Sequence, residues 1–159
     1  MGAQMRVLLS GALAALLCAS GAATAQDTRV VPYVIENARE IPDSLTGRIG
    51  DAERGRKLYF DRGNSGCSGC HGSPGGPGAE ANAGGGRAPS LSGVAKRMSI
   101  GTIRLWLVAP GVLNADTAMP SYYEAGQRTD PNDPRFGETR FSAAQIEDLV
   151  AYLSRQTTQ

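Results

Sequence analysis

The sequence predicts a small all-α domain, and three segments carry that prediction. Each segment begins at a residue that can cap a helix N-terminus, namely Asp51, Ser99 or Ser142, and continues with apolar residues at helical spacing. No segment before Cys67 has the pattern of a strand. We therefore expect the fold to be built from helices alone.

The first predicted helix follows Asp51 and covers residues 52 to 60. Its last three residues, Leu58, Tyr59 and Phe60, are apolar. We expect all three to face the interior of the domain.

The second predicted helix runs from residue 100 to residue 109 and is expected to stop at Pro110. Ile103, Trp106 and Leu107 recur at helical spacing and give this helix an apolar face. Such a face can pack against a large planar group or against the core.

The third predicted helix opens with Ser142-Ala143-Ala144-Gln145, which has the form of a capping box. An apolar stripe continues along it through Ile146, Leu149, Val150 and Leu153. Between the second and third helices, Tyr122, Tyr123 and residues 129 to 134 are predicted to form a surface loop.

Residues 1 to 25 have the form of a secretory signal peptide. Arg6 precedes an apolar run over residues 7 to 17, and small residues follow up to Ala25. The apolar run is shorter than the roughly 20 residues that a membrane-spanning helix needs. We therefore expect cleavage near Ala25, export to the periplasm, an N-terminal extension over residues 26 to 50 and one domain over residues 51 to 159.

Cleavage changes both the charge and the cysteine content of the chain. The chain has 16 basic and 15 acidic residues, and Arg6 leaves with the signal peptide, so the mature chain is formally neutral. A neutral chain gives no electrostatic reason to expect binding to nucleic acid or to an anionic membrane. Cys18 also leaves, so only Cys67 and Cys70 remain.

Residues 67 to 71 read CSGCH, and His71 is the only histidine of the chain. The pattern C-x-x-C-H is the attachment motif of c-type haem. Two thiols three residues apart can reach the two vinyl groups of the haem, and the adjacent imidazole can bind the iron. We therefore predict one covalent haem c, with Cys67 and Cys70 as its attachment points and His71 as an iron ligand.

Three other interpretations of the two cysteines are weaker. A disulfide would suit an exported protein, but it would not explain the adjacent histidine. A thioredoxin-like pair would be expected at the start of a helix in a βαβ unit, and no strand precedes Cys67. A structural zinc site would need a second pair of cysteine or histidine ligands, which the mature chain lacks.

The second axial ligand of the iron has several candidates. A second histidine is excluded, and the remaining donors are Met119, Met98 and, less often, Lys57 or Lys96. Met119 is favoured because Pro120 biases it towards an extended backbone in a polar loop. Met98 is expected to be an ordinary residue at a helix entry.

The segment over residues 72 to 90 is rich in glycine and proline and is predicted to be a loop over the haem edge. It lacks the lysine and hydroxyl residue of a phosphate-binding loop. Pro89 closes this segment, and its carbonyl can accept a hydrogen bond from the ring N–H of His71.

The pattern of these segments resembles the class I cytochrome c family. The matching parts are residues 52 to 60, the CSGCH motif, "APSLSGV" over residues 88 to 94, Met119-Pro120, and residues 142 to 153. The resemblance implies that the first and last helices cross, that His71 and Met119 are the axial ligands, and that the Pro89 carbonyl orients His71.

A narrower resemblance is to the SoxX family, the monohaem subunits of SoxAX sulfur-oxidation cytochromes. It covers most of the mature chain, through "NAREIPDSLTGRIGDAERGRKLYFDR", "APSLSGVAKRMSIGTIRLWLVAPGVLNADTAMPSYY" and "FSAAQIEDLVAYL". It implies a heterodimeric L-cysteine S-thiosulfotransferase in which a larger SoxA-like subunit does the sulfur chemistry on a SoxYZ-like carrier. The SoxX-like haem would accept electrons and pass them to a small soluble cytochrome.

Two other functions fit the same haem motif. The chain can be a free-standing periplasmic electron-transfer cytochrome, which would dock transiently through a charged rim. A haem peroxidase is less well supported, because it would need a distal acid–base residue and the chain has no second histidine.

Overall fold

The computed structural model describes residues 29–63, 66–74, 88–126, 132 and 137–157. The predicted signal peptide, most of the glycine-rich segment and most of residues 127 to 136 lie outside the described residues. The described part contains six helices, which are α1 (Ala52–Phe60), α2 (Cys67–His71), α3 (Val94–Arg97), α4 (Ile100–Val108), α5 (Pro110–Leu113) and α6 (Ala143–Leu153). Its only β pairing is an isolated bridge between Glu36 and Glu40. The predicted all-α fold class is confirmed.

The three predicted helix starts are present. The Asp51 carboxylate accepts backbone N–H bonds from the first turn of α1, and the Ser99 hydroxyl accepts the N–H of Thr102. Ser142 and Gln145 form both hydrogen bonds of the capping box at the start of α6. These caps satisfy backbone donors that a helix leaves unpaired at its N-terminus.

The predicted end of the second helix, at residue 109, was wrong. α4 stops at Val108, and Pro110 begins α5 instead of only ending α4. Proline fits this position because the first residue of a helix needs no N–H donor and its fixed φ is already helical. The sequence patterns also missed the short helix α3.

Two predictions about which side chains are buried were wrong. Leu58, Tyr59 and Phe60 were all expected to face the interior. Tyr59 is fully buried, but Leu58 is only half-buried and Phe60 is exposed. Successive helical residues are rotated by about 100°, so three in a row cannot share one face. Tyr122 and Tyr123, predicted to lie in a surface loop, are both buried.

The crossing of α1 and α6 brings their backbones into direct contact. A Cβ on Gly55 would lie 1.9 Å from the backbone oxygen of Asp148, and one on Gly50 would lie 2.1 Å from that of Glu147. The backbones therefore touch where only glycine fits. The Asp148 carboxylate also accepts the N–H of Asp51 at 2.6 Å and pairs with the Arg54 guanidinium at 2.8 Å.

The segment ahead of α1 packs on α4 and α6 through a buried ion pair. The Arg104 guanidinium meets the Glu147 carboxylate at 2.8 Å, and both side chains are almost completely buried. Arg104 also donates to the carbonyls of Ile41 and Pro42, and Glu147 accepts the N–H of Leu45 at 3.0 Å. Because Ile41 and Leu45 are themselves buried, this part of the predicted extension belongs to the same core as the helices.

In the part of the chain that the structure describes, no helix is both long enough and apolar enough to cross a membrane.

We predict that Gly55→Ala lowers the free energy of unfolding by about 2 kcal/mol. A methyl group at this position would overlap the backbone of α6, and overpacking of this kind costs more than the roughly 1 kcal/mol that alanine gains over glycine inside a helix. Thermal or urea unfolding of the haem-loaded protein measures the change.

Gly111→Ala is the matched control, because a Cβ at Gly111 meets no atom within 4 Å. This variant should be as stable as the parent or slightly more stable. Equal stability of the Gly55→Ala variant and the parent would contradict the close crossing.

Candidate functional site

The CSGCH motif forms the short helix α2, and a glycine bounds it at each end. Gly66 precedes the helix with φ 66° and Gly72 follows it with φ 70°, backbone angles that glycine adopts readily. Cys67 is buried and Cys70 is exposed. Residues three apart on a helix lie on the same side of it, so both thiols are presented to one group, and the described cysteines are not joined by a disulfide.

The ring of His71 is held by the loop that carries Pro89. The His71 Nδ1 atom lies 2.8 Å from the Pro89 carbonyl oxygen, so the contact predicted from sequence is present. With Nδ1–H donating to this carbonyl, the lone pair of Nε2 is directed away and can bind a metal. The arrangement is that of a ligating histidine oriented by a backbone carbonyl.

Arg97 holds the same loop from its other side. Its guanidinium donates to the carbonyls of Ser92, at 2.5 Å, and Ser90, at 2.9 Å. Ser90 follows Pro89 directly, and Ser92 lies two residues further on. Arg97 therefore restrains the backbone that orients His71. The role of Arg97 was not predicted from the sequence, because no local sequence pattern distinguishes an arginine that binds backbone oxygens.

Tyr59 connects α1 to the residue after His71. Its hydroxyl donates to the Gly72 carbonyl at 2.8 Å, and its ring lies 5.4 Å from the ring of Tyr152 on α6. Burial, followed by the proximity of Cys67, raises the pKa of the Tyr59 phenol far above its usual value. The phenol therefore stays protonated and remains a donor.

Tyr122, three residues after Met119 in the chain, also contacts Cys67. Burial raises the pKa of its phenol, and the charge of Cys67 and a side-chain hydrogen bond with Cys67 also contribute to the increase. Its ring stacks on Phe141, with centroids 5.3 Å apart. The loop after Met119 is thus brought next to the haem motif, a placement that the sequence analysis did not predict.

Met119 lies in an irregular loop, half-buried and packed against the core. Its N–H donates to the Thr117 hydroxyl at 3.2 Å. Further along, the Ser121 hydroxyl donates to the Val108 carbonyl at 2.6 Å, and the Tyr122 N–H donates to the Leu107 carbonyl. The loop is therefore fixed to the C-terminal end of α4.

Met98 differs from Met119 in its backbone setting. It is the C-cap of α3 and immediately precedes the N-cap of α4, in line with the expectation of a residue at a helix entry. The choice of Met119 as the second axial ligand stays a prediction.

The described residues fit a covalently bound haem. Two cysteines on one helical turn, an oriented imidazole and a surrounding layer of buried tyrosines supply the attachment points, one axial ligand and an apolar pocket wall.

The chain is similar to known proteins in both sequence and fold. The family model described as cytochrome c matches residues 52–157. The fold is also similar to a chain of the crystal structure of SoxXA from P. pantotrophus, with a TM-score of 0.62 and 27% sequence identity. That match covers 80% of this chain and 94% of the other. No curated protein sequence matches the chain.

We predict that Arg97→Met speeds exchange of the His71 ring proton with solvent about fivefold in the haem-loaded protein. The substitution removes the two hydrogen bonds that restrain the Pro89 loop, and a hydrogen bond of ordinary strength contributes on the order of 1 kcal/mol, which corresponds to about that factor. Proton exchange followed by NMR measures the effect.

Lys96→Met is the matched control, since Lys96 is the exposed neighbour of Arg97 on α3. It removes the same charge and should leave the exchange rate unchanged. Equal rates in both variants would show that Arg97 does not position His71.

Proposed function

The chain belongs to the cytochrome c family, and on that premise we propose that it is the electron-accepting haem subunit of a two-chain sulfur-oxidising complex. The similarity to a chain of SoxXA, over 94% of that chain, carries the proposal. The family model and this similarity also confirm the resemblance to SoxX-like cytochromes that the sequence predicts.

Membership of the family implies covalently bound haem c. We assign one haem, joined to Cys67 and Cys70 by thioethers. When bound, the haem supplies an iron centre that gains and loses one electron at a time. His71, whose ring nitrogen Nδ1 lies 2.8 Å from the Pro89 carbonyl oxygen, and Met119 would be the residues that hold the iron.

A thioether ligand raises the reduction potential of a haem. Burial has the same tendency, because an apolar surrounding disfavours the extra positive charge of the oxidised iron. The buried phenols of Tyr59 and Tyr122 lie near Cys67, and because their pKa values are raised they stay protonated and add no negative charge beside the haem motif. Both features suit a haem that accepts electrons.

The sulfur chemistry is assigned to a partner chain. Once Cys67 and Cys70 are thioethers, the mature chain has no thiol, and its one histidine is bound to iron. We propose that a SoxA-like larger cytochrome joins thiosulfate to a cysteine thiol of a SoxYZ-like carrier, as an L-cysteine S-thiosulfotransferase.

Electron balance explains why such an enzyme needs this chain. Forming a sulfur–sulfur bond between thiosulfate and a thiol releases two electrons and one proton. A haem held by Cys67, Cys70 and His71 would take up these electrons one at a time, for transfer to a small soluble cytochrome. The predicted signal peptide over residues 1 to 25 places the reaction in the periplasm.

The surface of the described residues favours a subunit over a free-standing carrier. Ile49 is 96% exposed, Val34 70% and Ile100 54%. A carrier that docks transiently is expected to use a charged rim, whereas a subunit covers aliphatic side chains with its partner. The free-standing electron carrier remains the alternative outcome of the experiments below.

We predict that Met119→Ala lowers the reduction potential and changes the low-spin spectrum of the ferric haem, because the thioether ligand is lost. Met98→Ala is the control and should leave both almost unchanged. Optical spectroscopy and a redox titration measure the two variants. An unaltered spectrum and potential in the Met119→Ala protein would remove Met119 from the iron.

Affinity capture of the tagged chain from the periplasm of thiosulfate-grown cells tests the proposed function. After washing at high salt, a second and larger haem-bearing polypeptide should remain in fixed stoichiometry. If the chain is recovered alone with its haem, it is a free-standing electron carrier.

A further inference from the structure

A short segment ahead of the family-matched region lies against the loop that carries Met119. We call residues 29 to 35 the strap. The Tyr123 hydroxyl accepts the backbone N–H of Val31 at 2.7 Å and donates to the carbonyl oxygen of Arg29 at 3.4 Å. The ring of Tyr33 lies 6.3 Å from that of Tyr123. The strap thus contacts Tyr123 through both its backbone and a side chain.

Tyr123 links the strap to the methionine loop. It lies four residues after Met119 and is 1% exposed. Its backbone N–H donates to the Ser121 hydroxyl at 3.3 Å, and that hydroxyl donates to the Val108 carbonyl on α4. One end of the loop is therefore fixed to α4, and the Tyr123 ring is fixed to the strap.

An open cavity of about 550 Å³ is lined by residues of both the strap and the methionine loop. Val30 and Tyr33 come from the strap, and Met119 and Tyr123 come from the loop. Close-packed neighbours resist displacement of a side chain, but a cavity offers little resistance. The strap and its hydrogen bond to Tyr123 therefore contribute to the restraint of the loop beside this cavity.

We infer that the strap is a positioning element for the second axial ligand, and that the Val31–Tyr123 hydrogen bond controls how readily an outside ligand replaces Met119 on the iron. This inference rests on the proposed function, which assigns Met119 to the iron. The strap precedes residue 52, where the match to the cytochrome c family begins. It therefore lies outside the part of the chain that the family model matches.

The test breaks the hydrogen bond from each side in the mature, haem-loaded protein. Tyr123→Phe removes the acceptor, and Val31→Pro removes the donor while keeping an extended backbone ahead of Pro32. The probe is imidazole, and the measured quantity is its rate of binding to the ferric haem. Each variant should bind imidazole about fivefold faster than the parent, the factor expected for one hydrogen bond.

The double variant makes the test specific. Both substitutions remove the Val31–Tyr123 bond, and Tyr123→Phe also removes the longer bond to the Arg29 carbonyl. The combined variant should therefore be no faster than Tyr123→Phe alone. Val34→Ser is the control within the strap, since Val34 is 70% exposed and does not line the cavity. Its imidazole rate should equal that of the parent.

Thermal unfolding and haem content distinguish positioning from general stability. Variants that unfold at lower temperature but bind imidazole at the parental rate would overturn the inference. So would rates that multiply in the double variant.

The Met119→Ala protein separates this inference from the proposed function. If its spectrum matches that of the parent, the ligand assignment fails and the inference fails with it. If its spectrum changes but the strap variants bind imidazole at the parental rate, the inference alone is wrong.

Discussion

The contact between the backbones of α1 and α6 is the constraint on which the rest of the structure depends. It requires glycine at position 55 of α1, because a Cβ there would overlap the backbone oxygen of Asp148. Gly50, just ahead of α1, meets the backbone oxygen of Glu147 in the same way. The haem motif begins seven residues after α1 ends, and the Tyr59 hydroxyl connects α1 to the residue after His71. The crossing therefore determines where the cysteines and the histidine are presented.

The polar contacts of α6 extend this arrangement to the N-terminal segment. Neighbouring carboxylates on α6, those of Glu147 and Asp148, bind backbone N–H groups and an arginine each. Breaking a buried ion pair leaves an uncompensated charge in a low-dielectric interior, so Arg104 and Glu147 depend on each other. The segment that they hold leads back to the strap, and the strap reaches the loop of Met119. The part of the chain ahead of α1 thus contacts both α6 and the loop that carries Met119.

The features that could be predicted from the sequence are local ones. Helix caps are encoded within four residues and the CSGCH motif within five, and both are present as expected. The Pro89 contact was predicted from the place of this proline at the end of the segment after His71, and the family resemblance implies it as well. The burial of Tyr122 and Tyr123 and the pairing of Arg104 with Glu147 depend on partners far away in the chain. No local pattern distinguishes such a tyrosine or arginine from an exposed one.

The intact mass of the purified mature chain, together with a titration of its thiols, tests the central claim most directly. The account predicts the mass of the polypeptide from Gln26 plus one haem, and no thiol that reacts under denaturing conditions. A mass without haem, with Cys67 and Cys70 recovered as two thiols or as a disulfide, would contradict it. The chain would then have the fold of a cytochrome c without its chemistry.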